Sequence, residues 1–64
     1  MRELYEVLEM DYSKASVLEL NEAIVRLGKA NRKEYETRGN TERCQFLFRR
    51  REEAKAELER RARL

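Results

Sequence analysis

Sixty-four residues, 41% apolar and 44% charged, suffice for a single small domain over residues 1–64, close to the lower size at which one core holds a chain folded alone. With no His and one Cys, Cys44, the composition excludes a zinc or iron–sulfur site, a thiol–imidazole pair and an intramolecular disulfide; no cofactor is expected, and the setting is read as reducing and cytoplasmic. The net charge of +2 is unevenly spread, with two basic against six acidic side chains in residues 1–22, nine against three in 23–51 and four against four in 52–64.

No run is long and apolar enough to read as a membrane span, and no signal-peptide pattern is visible. No Pro and only two Gly, Gly28 and Gly39, leave nearly the whole chain free to be helical, which predicts an all-α fold. The first element is a short helix near 3–9, where Leu4, Val7 and Leu8 recur at i, i+3, i+4 and Glu3 and Glu6 suit the positive end of the helix dipole. Asp11, Ser13 and Ser16 then break the period and mark a turn.

Ser16-Val17-Leu18-Glu19 reads as a capping box, with Ala15 and Leu20 placed for a weak hydrophobic staple. The helix it opens is expected near 16–36, with Val17, Leu20, Ala23, Ile24, Leu27 and Asn31 along one stripe. Gly28 sits inside it at a cost of about 1 kcal/mol relative to Ala, useful where another helix crosses closely. Thr37-Arg38-Gly39-Asn40-Thr41 is the clearest interruption: Gly39 can end one helix with a positive φ, and Asn40 or Thr41 can cap the next.

The last helix is expected near 42–63 on a stripe of Cys44, Leu47, Ala54, Leu58 and Ala62, widened at its start by Phe46 and Phe48. Arg51 falls within that stripe. Its aliphatic stem is expected to pack while the guanidinium reaches solvent, a specific buried partner being the sharper alternative. Two long helices turning at Gly39, after a short one, predict an antiparallel hairpin with the first helix packed across it.

Tyr5, Leu8, Met10, Ala15, Ser16, Glu19, Leu20, Ala23 and Leu27 fall in an order that resembles the first two helices of a J-domain, the co-chaperone module that activates an ATP-driven heat-shock chaperone. Phe48, Ala54 and Leu58 extend the likeness into the third helix, where Lys55 stands in place of the usual aromatic. Where such a domain carries His-Pro-Asp in its loop, this chain reads Arg32-Lys33-Glu34. Phe46-Leu47 followed by Ala54-Lys55 is similar to the degenerate J-like subunit of the mitochondrial import motor, which also lacks His-Pro-Asp and restrains a true J-protein. The resemblance implies a J-like scaffold whose partner is a chaperone or a J-protein, and which does not stimulate ATP hydrolysis.

No catalytic constellation is present. The acidic pairs Glu52-Glu53 and Glu57-Glu59 are balanced by neighbouring Lys and Arg on what should be an exposed helix, and neither Gly lies in a phosphate-cradling pattern. Arg26, Lys29 and Lys33 at i, i+3, i+7, with Arg32 beside them, are the expected partner-binding residues, since the basic face of the second helix is what a J-domain offers to an acidic chaperone surface. Arg43, Arg49 and Arg50 form the alternative, a helix face that grips nucleic-acid phosphates without reading sequence. The leading expectation is thus a non-enzymatic, J-like adaptor or inhibitor that binds an acidic protein surface. The alternatives are a small nucleic-acid-associated regulator, and a structural hairpin that dimerises as a four-helix bundle; the chain is accordingly a monomer or a homodimer.

Overall fold

The computed structural model describes residues 2–63. Among them the structure is all-helical: α1 spans Leu4–Glu9, α2 Val17–Arg38 and α3 Glu42–Ala62. Each boundary has a local cause. At the start of α2 the Ser16 hydroxyl accepts from the Glu19 amide at 3.1 Å while Glu19 Oε1 accepts from the Ser16 amide at 2.8 Å, the reciprocal bonding of a capping box. α2 runs to Arg38, two residues past the expected end, and stops at Gly39, whose φ of 83° is open to a residue without Cβ and whose amide closes on Tyr35 O at 2.9 Å. Thr41 then caps α3, its hydroxyl accepting from the Cys44 amide at 3.0 Å.

α2 and α3 lie antiparallel and bury Leu20, Ala23 and Leu27 against Leu47 and Ala54. Near the turn Asn31 donates to Cys44 O at 2.8 Å, and further along Arg51 lies over Gly28. The space left by the missing side chain at Gly28 is filled by the inner end of the Arg51 head group, since a Cβ there would stand 3.2 Å from Arg51 Nε and 3.6 Å from its Cδ. The Arg51 side chain stays partly exposed and pairs with its neighbour Glu52 at 3.6 Å, while Nε is buried without a hydrogen-bond partner, so the expectation of a packed stem is met with part of the guanidinium packed as well and no specific buried partner.

α1 packs against α2. Its start is tied to α2 by Arg2, whose guanidinium reaches Glu19 at 2.6 Å and Glu22 at 3.8 Å. Val7 is fully buried, with Leu4 and Leu8 packed against the same core. The segment after α1 is held by two arginines of α3. Arg50 donates to Leu8 O at 2.9 Å and Met10 O at 3.0 Å, and Arg61 donates to Tyr12 O and Ser13 O, each at 3.2 Å. Tyr12, within a turn that looks wholly polar in sequence, is buried; its hydroxyl donates to Val7 O at 2.8 Å and the Arg50 guanidinium stacks 4.2 Å from its ring centre. Burial pushes the Tyr12 phenol above its ordinary range.

Four residues assigned to the apolar stripes lie outside the core. Val17, Phe46, Phe48 and Ala62 are exposed, because three helices provide no layer over the flanks of the hairpin and α1 is only six residues long. Arg32-Lys33-Glu34, placed by the resemblance at a loop motif, lies inside α2, and the connection between the long helices is Gly39-Asn40-Thr41.

Candidate functional site

The helical repeat puts Arg26, Lys29 and Lys33 on one side of α2, and the turn at Gly39 brings Arg38 and Arg43 to the same side from the end of α2 and the start of α3. These five cations line a groove of about 400 Å³ at the tip of the hairpin, with Leu4 of α1 and Ala30 of α2 contributing apolar wall above the buried Leu47 of α3. Glu34, the carboxylate of the groove, accepts from the Thr41 hydroxyl at 2.8 Å. None of the five basic side chains makes an ion pair among the described residues.

Of the ten other basic side chains, Arg2, Arg50, Arg51, Lys55, Arg60 and Arg61 are paired with carboxylates within 4.0 Å, and Lys14, Arg32, Arg49 and Arg63, scattered over the surface, make no ion pair among the described residues. Glu57 shows how far that pairing goes: hydrogen bonds from Arg60 at 2.6 Å and from Arg61 at 2.7 Å hold its carboxyl down at about 2. Positive charge at the tip is therefore left available, and neighbouring unpaired cations repel one another until an anion joins them.

Of the expected partner-binding set, Arg26, Lys29 and Lys33 converge on this groove. Arg32 does not; it lines a recess on the opposite flank of α2 with Ile24, Val25, Gly28 and Arg51, and Lys29 borders both. The reason is the angular step of about 100° per residue, which separates Arg32 from Lys33 although they adjoin in sequence.

The alternative set is dispersed. Arg43 belongs to the groove with the α2 cations. Arg49 is exposed, with its guanidinium 6.0 Å from the Phe46 ring centre. Arg50 is committed inward, to the Leu8 and Met10 carbonyls, the Tyr12 ring and Glu53 at 2.6 Å, so its assignment as a phosphate-gripping residue is corrected to that of a clamp on the α1–α2 connection. Leu4 is a member of the groove that residue spacing along one helix could not reveal, since it approaches from α1, and Arg38, in the last turn of α2 itself, lies off the spacing of Arg26, Lys29 and Lys33.

Among the described residues no group of three or more His, Cys, Asp or Glu is placed to hold a metal ion, and no helix is long and apolar enough to cross a membrane. No protein-family model, curated protein or solved structure matches this chain.

Proposed function

We propose that this protein is a non-enzymatic interaction module that binds an acidic segment of another protein in the groove formed by Arg26, Lys29, Lys33, Arg38 and Arg43. The observation that carries the reading is that these five cations converge on one groove without a single ion pair among the described residues, whereas the unpaired cations elsewhere are dispersed. The apolar wall of Leu4 and Ala30 favours a protein ligand, which can seat apolar side chains between its carboxylates, over a phosphate backbone, which has none to offer. The order of one short and two long helices, with the basic face on the second, supports a J-like adaptor or inhibitor acting on a chaperone or a J-protein. Lacking His and Pro altogether, it would occupy such a partner without stimulating ATP hydrolysis.

The test is a comparison of defined ligands. A peptide alternating Glu with Leu at helical spacing, and a short DNA duplex, are titrated against the wild-type chain and against the triple reversal Arg26→Glu, Lys29→Glu, Lys33→Glu. The peptide is expected to bind and to be lost with the reversal while helical content is unchanged. Tighter binding of the duplex, with a salt slope that falls by about one per removed cation at Arg43 or Arg49, would replace this reading with the nucleic-acid one.

A further inference from the structure

Lys29 borders both the tip groove and the recess on the opposite flank of α2, so the two are separated by the width of one helix. The groove holds Arg26 and Lys33 on one side of that ridge, and the recess holds Arg32 on the other. Lys29, Arg32 and Lys33 are exposed and Arg26 is half-buried; none of the four makes an ion pair among the described residues. Carboxylates on either side are already engaged. Glu34 of the groove accepts from Thr41 at 2.8 Å, and Glu52, which follows Arg51 of the recess, is held by Lys55 at 3.3 Å and Arg51 at 3.6 Å.

Along the ridge the sign of charge alternates. Glu22, Lys29 and Glu36 follow one another at seven-residue intervals, about 10 Å apart on one face of α2, so Lys29 stands between two carboxylates. Glu22 lies 3.8 Å from Arg2, and Glu36 is exposed without an ion pair among the described residues. An acidic chain laid lengthwise on α2 would meet Glu36 as a like charge one side of Lys29 and Glu22 on the other. Laid across α2, it meets Arg26 and Lys33, then Lys29, then Arg32, and finds apolar surface at both ends, Leu4 and Ala30 in the groove and Ile24 and Val25 in the recess.

Building on the reading that the groove takes an acidic protein segment, we infer that this segment crosses α2 over Lys29 and seats a second acidic group against Arg32 in the opposite recess. The partner then presents two acidic groups about 10–12 Å apart, the diameter of a helix with its side chains, each with an apolar side chain beside it. Carboxylates seven residues apart on a helix, or three apart on an extended strand, meet that spacing. A single contact to an exposed cation is weak, but two carried on one chain make the second contact intramolecular, and that gain depends on the spacing. Arg32, which the groove alone leaves out, thereby becomes a specificity-determining residue. Arg51, paired with Glu52 and packed on Gly28, remains part of the floor.

Two probes cover the two backbones: a helical peptide with Glu-Leu pairs seven residues apart, and an extended one with the pairs three apart. Each is titrated calorimetrically into the full chain near physiological ionic strength, beside versions in which one Glu is replaced by Gln. One probe is expected to bind the wild type about tenfold or more tighter than its single-Glu versions. Arg32→Gln and Lys33→Gln should each weaken that probe by about three- to tenfold, Lys29→Gln at least as much, and Arg32→Gln should remove the advantage of the second Glu. Glu36→Gln, on the ridge, and Lys14→Gln, ahead of α2, should stay within about twofold, with circular dichroism unchanged throughout. Binding lost with Lys33→Gln but indifferent to Arg32→Gln would overturn the crossing and leave the groove reading standing. Tenfold tightening by Glu36→Gln would show a lengthwise seat and overturn it as well. Failure of both probes to bind the wild type would overturn the crossing and the groove reading together.

Discussion

Replacing Arg50 by alanine separates a structural arginine from a ligand-binding one. The guanidinium donates to the carbonyls of Leu8 at 2.9 Å and Met10 at 3.0 Å, stacks 4.2 Å from the Tyr12 ring centre and pairs with Glu53 at 2.6 Å. A hydrogen bond from a charged group contributes about 1.5–3 kcal/mol, and the two carbonyls share one donor nitrogen, so they count as about one such bond rather than two. The stacking adds about 0.5–2 kcal/mol, and the pair with the half-exposed Glu53 about 0–1. Because the carbonyls regain water when Arg50 is removed, the expected loss for Arg50→Ala is about 2–4 kcal/mol. A core in a chain of this size rarely supplies more than about 3–5 kcal/mol, so the variant should be largely unfolded near body temperature. Urea titration followed by circular dichroism reads the change as a lower midpoint at constant slope, and hydrogen exchange should show the amides of the α1–α2 connection losing protection first. Arg43→Ala is the matched control: it removes an exposed cation without an ion pair and should stay within about 0.5 kcal/mol of wild type. If Arg50→Ala melts like the wild type, the clamp is not a stabilising feature and Arg50 returns to the list of side chains free for a ligand.

Ser16→Ala should cost about 1 kcal/mol, within about 0.5–2, by stripping the cap from α2, and calorimetry would show it as a drop in melting temperature; no change would mean that the helix starts elsewhere. Gly28→Ala should be neutral or stabilising by up to about 1 kcal/mol in urea titration, since Ala is the better helix former and the atom crowded by the new Cβ, Arg51 Nε, belongs to a flexible side chain; a clear loss would show that Arg51 is fixed in place. Glu57 has a carboxyl held at about 2, below its unfolded value of about 4.3, so its contribution is fully present above that unfolded value and disappears as pH falls through about 2. The wild type should therefore lose stability between about pH 4.5 and 2, and Glu57→Gln should flatten the profile in that window; identical slopes for the two chains would refute the assignment.

The sequence alone determined the helices and where they start and turn, to within two residues, because those depend on contacts within a few residues. Ser16 and Glu19 bond each other whatever else the chain does, Gly39 admits a positive φ that other residues resist, and the i, i+3, i+4 recurrence of Leu4, Val7 and Leu8 names the inward side of α1. It also placed Arg26, Lys29 and Lys33 on one side of one helix. What joins them there is tertiary. Arg43 and Leu4 enter the same groove only because α3 returns alongside α2 and α1 packs against α2. Tyr12 has no periodic neighbours to mark it, and its burial follows from two arginines more than three dozen residues away that hold its loop against α3. The same packing left Val17, Phe46 and Phe48 in solvent: a periodic stripe states which side of a helix is apolar, but the number and length of the other helices decide how much of that side is covered.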